Sequence, residues 1–175
     1  MPITPDDKDW TWVLERPCPE CGFVSAEFPR EQVGALVRAN AAAWPEVLAR
    51  ADVARRSSDD SWSPLEYACH VRDVFRIYDE RLERMLTEDD PLYPNWDQDA
   101  TAVEERYNEQ DPRAVTAELV EVAAAVADRF DTVHGDQWQR TGRRSDGARF
   151  TVETFARYMI HDPIHHLWDV GAATT

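Results

Sequence analysis

The strongest constraint on the fold is the stretch SWSPLEYACHVRDVFRIYDERLERML, residues 61–86. Ser63 can cap a helix, Pro64 suits its first position, and Glu66 stands three residues after the cap, completing a capping box. Downstream, Leu65, Cys69, Val71, Val74, Phe75, Tyr78, Leu82, Met85 and Leu86 make an apolar core face. A helix this long and one-sided needs partners, and the chain supplies them. Pro29 to Ala49 carries Val33, Leu36, Val37, Trp44, Val47 and Leu48 at helical spacing, with Pro45 expected to bend the helix or split off its last turn. Asp111 and Pro112 open a third helix with a Val115, Leu119, Val122, Val126 and Phe130 series among alanines. A fourth begins near Thr151 and stops at Gly171, a natural C′ residue. ATAVEERYNEQ fits a short helix between the second and third. Strand signals are scarce, and GDQWQRTGRRSDGARF reads as a loop with a short hairpin around Asp146-Gly147. The expected fold is all-α, a four-helix bundle over residues 29–175. An irregular leader, residues 1–28, precedes it and docks through Trp10, Trp12, Val13 and Leu14.

At 175 residues the chain suits one domain. Its net charge of −15 argues against nucleic acid, whose binding needs Lys and Arg against phosphates, and against anionic membranes. No apolar run approaches the roughly 20 residues of a transmembrane helix. The acidic N-terminus lacks the pattern of a secretory signal. A cytoplasmic location is expected. Three cysteines, an odd number, do not suggest a disulfide framework.

Chemistry concentrates in YMIHDPIHHLWDV, residues 158–170, which holds three of the five histidines. His161 and His165 are spaced to share one helical face about a turn apart, close enough to share a metal. His166 is rotated a further ~100° and should point elsewhere. His70, on the second helix, is the candidate third ligand, and three imidazoles leave open positions for water or substrate. Pro163 complicates this reading. A helix through it loses a hydrogen bond to Met159 and kinks, whereas Asp162-Pro163 could instead cap a new helix, as Asp111-Pro112 does, and separate His161 from His165. Local signals leave both readings open. Tyr158, Glu66 and Asp73 are candidates to orient the imidazoles, although Glu66 has a competing role in the capping box. Arg143, Arg144 and Arg149 can attract an anionic substrate, but an exposed basic loop is the commoner explanation of such a cluster.

CPECG, residues 18–22, looks like half a zinc knuckle. No second CxxC completes it, Cys69 alone would leave it a ligand short, and the βαβ setting of a redox CxxC is absent. A turn that docks the leader, its thiols reduced or opportunistically paired, is the favoured reading.

WSPLEYACHVRDV and HDPIHHLWDV together resemble the DinB/YfiT-like superfamily, which includes the metal-binding domain of mycothiol-dependent maleylpyruvate isomerases. The resemblance covers roughly residues 30–171. It implies an up-down-down-up bundle and a divalent metal, usually zinc or nickel, on one histidine of the second helix and two of the fourth. Here those are His70, His161 and His165, which favours a continuous last helix. It further implies thiol-dependent transfer or isomerisation with mycothiol, bacillithiol or glutathione, or hydrolysis in some members. The expected partners are a small-molecule substrate and a low-molecular-weight thiol, and a homodimer suits such a bundle. The alternative is a non-catalytic, stress-associated binding module with a vestigial or structural metal site. Pro163 within HxxxH and the CPECG leader depart from the family pattern.

Overall fold

The computed structural model describes residue 3 and residues 9–173; residues 1–2 and 4–8 of the leader lie outside the described residues. Four long helices form the bundle: α1 (Val33–Leu48), α2 (Pro64–Thr87), α4 (Pro112–Thr132) and α5 (Val152–Asp169). A short α3 (Gln98–Glu104) lies between α2 and α4. α4 packs along both α1 and α2, and α5 rests against the same pair.

Each start has a local cause. At α2 the capping box forms: Glu66 N donates to Ser63 Oγ at 3.3 Å and Ser63 N donates to Glu66 Oε2 at 2.8 Å. Asp111 accepts from Arg113 N at 3.0 Å ahead of Pro112, and Thr151 Oγ1 accepts from Thr154 N at 3.1 Å to open α5. α1 is preceded by a 3-10 turn, Arg30–Gln32, so its α-helical part begins later than Pro29. Pro45 does not split it, and Trp44, Val47 and Leu48 around the proline all remain buried. Gly34 brings α1 close to α4, because a Cβ there would lie 3.0 Å from the Ala127 carbonyl oxygen. The core runs down the bundle through Trp44, Leu65, Phe75, Leu82, Leu119, Phe130, Phe155 and Met159. Burial of each such aliphatic or aromatic side chain contributes about 1.5–3 kcal/mol.

The all-α expectation holds for most of the chain, with a small sheet added to it. Leu92–Tyr93 (β1), Thr141–Arg144 (β2) and Arg149–Thr151 (β3) form a small sheet in the order β1-β2-β3. β2 and β3 are the antiparallel hairpin expected around Asp146-Gly147, with Gly147 at φ +99°. β1 joins in parallel. These strands are too short and too polar to show a period-2 pattern, and their pairing ties the α2–α3 connection to the α4–α5 connection.

α5 runs through Pro163 without a break. Asn40 of α1 buttresses it there: its Nδ2 donates to the Pro163 carbonyl at 2.8 Å while its Oδ1 accepts from Trp44 Nε1 at 3.1 Å. The described part of the leader lies along α5. A 3-10 turn, Thr11–Leu14, buries Val13 completely, and the Arg157 guanidinium of α5 donates to the carbonyls of Ser25 and Phe28. Among the described residues no helix is long and apolar enough to cross a membrane.

Candidate functional site

Because α5 is continuous, HDPIHH places two i, i+4 pairs on one helix, offset by a single residue and therefore by ~100°. His161 and His165 form one pair, Asp162 and His166 the other. The two pairs meet different neighbours.

Asp162 and His166 meet α2. One ligand atom each from His70, Asp162 and His166 lie within 4.8 Å of one another. His70 Nε2 is 3.1 and 3.3 Å from the two Asp162 oxygens, and His166 Nε2 is 3.6 Å from Asp162 Oδ1. The His70 ring is clamped, stacked on Trp96 at 5.2 Å with 6° between planes and flanked by Trp62 at 5.2 Å. Its Nδ1 is buried without a hydrogen-bond partner. His166 Nδ1 faces Asp169 Oδ2 at 2.7 Å, an arrangement that fixes the ring and leaves Nε2 for the cluster. Burial pushes the Asp162 carboxyl upward, but His70 and His166 beside it outweigh that and hold it well below the usual carboxylate range. The His70 side chain is 1% exposed and that of Asp162 34%, so the cluster is closed towards the core and open at the carboxylate.

His161 and His165 meet the leader instead. Ligand atoms of Cys18, Cys21, His161 and His165 also lie within 4.8 Å of one another. Cys18 Sγ is 3.6 Å from His165 Nδ1. Trp10 packs on both rings at 5.6 and 5.5 Å, Phe23 covers His161 at 5.3 Å, and Trp168 covers His165 at 5.4 Å. His161 Nε2 is buried with no hydrogen-bond partner. Burial holds His161 neutral down to about 4, lowers His165 as well, and pushes the Cys21 thiol up to about 12.

The three histidines read from the sequence as one ligand set are thus divided between two adjacent clusters. His161 and His165 come together, but His70 is grouped with the pair one residue further along. Tyr158 lies elsewhere, its hydroxyl accepting from Arg144 at 3.3 Å. Asp73 is taken up by Arg72, Arg76 and Tyr107, and Glu66 by its cap and Arg56. Arg143 and Arg149 pair with Asp90, and Arg144 with Asp146. Sequence reasoning passed over Asp162, which lies beside His70 and His166, and Asp169, which faces His166 Nδ1. The available signal was the second four-residue spacing, hidden because a carboxylate and a histidine do not look like a pair.

A model of the DinB superfamily matches residues 34–170. The chain belongs to the DinB superfamily. The matched region holds the bundle and both pairs of α5, while Cys18 and Cys21 precede it. Among solved structures, this DinB-superfamily chain is similar to YfiT from Bacillus subtilis, described as a probable metal-dependent hydrolase with an unusual four-helix bundle topology. The two share 21% identity over 91% of this chain and 93% of that one, with a TM-score of 0.68, and the likeness shows a common four-helix-bundle fold. No curated protein matches the chain at a significant level.

Proposed function

We propose that this DinB-superfamily chain is a metal-dependent enzyme for a small-molecule substrate, its divalent cation held by His70, Asp162 and His166. The observation that carries this reading is the convergence of these three side chains, from α2 and α5, within 4.8 Å at a cluster open on its Asp162 side. The donors suit the role. Two imidazoles and a carboxylate are a ligand set of catalytic zinc sites, which keep positions open, and the same set accepts nickel or iron. Bound there, such a cation supplies Lewis acidity that polarises a substrate oxygen and lowers the pKa of water.

The chain's own residues do the rest. Trp62 and Trp96 fix the His70 ring and keep water from its faces. Asp169 accepts the Nδ1 proton of His166 and so sets which nitrogen is free to ligate. Beyond Trp62 opens a cleft of about 230 Å³, lined by Arg56, Arg106, Asp99 and Asn108 among others. Trp62 is the wall it shares with the cluster, and its mixed charges suit a small polar substrate.

Hydrolysis is supported by the His-His-Asp donor set and by the likeness to YfiT. Thiol-dependent transfer or isomerisation, implied by the family resemblance, would use the same three residues with a mycothiol- or bacillithiol-type thiol as second substrate. Zinc or nickel fits either chemistry. The test is a screen of metal-loaded protein against ester, amide and phosphoester panels, and against electrophiles with each thiol. Turnover that disappears in His70→Ala and Asp162→Ala, with release of one bound cation, is expected. A cation and turnover both retained in His70→Ala would overturn the assignment, and bound cation with no turnover in any panel would favour the binding module.

A further inference from the structure

We propose that Cys18, Cys21, His161 and His165 form a second, structural metal site, a closed Cys2His2 centre for zinc that clasps the leader to α5. This proposal stands apart from the catalytic reading of the His70 cluster.

Three observations lead to it. The first is geometry. Ordinary Zn–S and Zn–N bonds in a tetrahedron separate sulfur from nitrogen by about 3.5 Å, and nitrogen from nitrogen by about 3.3 Å. Cys18 Sγ and His165 Nδ1 stand 3.6 Å apart, and all four ligand atoms fall within 4.8 Å. The second is burial. Cys18, His161 and His165 are 2%, 4% and 8% exposed, and His161 Nε2 has no hydrogen-bond partner. Thiols and imidazoles gathered in an aromatic enclosure with an unsatisfied nitrogen are costly unless something binds them together. Cys18 and Cys21 are both free thiols, so no disulfide accounts for their approach.

The third is the shape of the turn. Gly22 N donates to the Cys18 carbonyl at 3.0 Å, Cys18 N donates to the Phe23 carbonyl at 2.9 Å, and Gly22 adopts φ +75°, which glycine takes without strain. This is a knuckle that presents two sulfurs inward. The half that a second CxxC would supply comes from α5. His165 is supported from behind, its Nε2 3.5 Å from Glu20 Oε2, which orients the ring as a ligating histidine requires. Four protein ligands leave no open position, and a two-sulfur, two-nitrogen set selects zinc; the site is therefore structural.

The experiment is elemental analysis of full-length protein purified without chelator or added metal. Cys18→Ser/Cys21→Ser is expected to lose about one zinc per chain relative to the parent, while His70→Ala/Asp162→Ala keeps that zinc. Unchanged zinc in the cysteine variant would overturn the site. Should the cysteine variant not fold, cobalt replaces it as probe. Cobalt-loaded parent and His70→Ala/Asp162→Ala protein should both show a thiolate-to-cobalt charge-transfer band, and its absence from both would overturn the site equally. Failure of the catalytic reading shows in the other variant pair, so the two outcomes are separable.

Discussion

Asp169 stands between the two clusters. Its Oδ2 is 2.7 Å from His166 Nδ1, within hydrogen-bond reach, while its Oδ1 stands 3.9 Å from His165 Nε2, beyond that reach. Asp169→Asn should weaken cation binding at the His70 cluster by about 10–100-fold, read by competition with a calibrated chelator. Glu66 makes a different prediction. Burial raises its carboxyl, but bonds from Arg56 and Ser63 prevail and the net shift is downward. A carboxyl depressed in the folded state adds stability above its unfolded value, here 4.5, and that stability is lost as pH falls through the folded value. Urea midpoints should drop on acidification in the parent, and Glu66→Gln should be less stable near neutrality with a flatter acid limb. At this scale the sequence was only partly readable. Four-residue spacing shows which side chains share a face of α5; it does not show which neighbour that face meets. The spacing of His161 and His165 therefore shows that they share a face of α5, but not that this face meets Cys18 and Cys21 while His70 meets Asp162 and His166. Cys18 and His165, 147 residues apart, could not be joined by any local signal.

At the scale of elements, the helices were legible because their causes are local. Ser63, Asp111 and Thr151 each cap the helix that follows, and the apolar stripes of α2 and α4 repeat at the helical period. Ser63→Ala should cost about 2 kcal/mol in urea unfolding, at the upper end of the usual range because Ser63 is fully buried. The sheet was not legible beyond its hairpin turn. Leu92–Tyr93 spans two residues, and its pairing with Arg143 and Arg144 crosses two connections. Continuity through Pro163 was equally undecidable locally, since it is met by Asn40, a residue on another helix. Gly34 tests the contact between α1 and α4. A Cβ there would press on Asp131 Oδ1 and fall 3.0 Å from the Ala127 carbonyl; the side chain can swing away, but the backbone cannot. Gly34→Ala should destabilise by about 1–3 kcal/mol, measured by the same unfolding experiment.

For the whole molecule, the proposed zinc centre joins the leader to α5, the last helix of the bundle. Chelation should then free the leader before it unfolds the bundle. Limited proteolysis of chelator-treated protein should cut within residues 9–28 and leave a helical fragment, whereas metal-replete protein should resist at those bonds. A leader equally protected with and without metal would mean that Val13 and Arg157 suffice to hold it. The interleaved pairs of α5 carry one further consequence. A single residue inserted ahead of His161 would turn the rest of α5 by about 100°. His161 and His165 would then take the places of Asp162 and His166, opposite His70. One step of helical register is thus all that separates a site with a carboxylate ligand from one built of three histidines, and the same step would leave the cysteines without their partners.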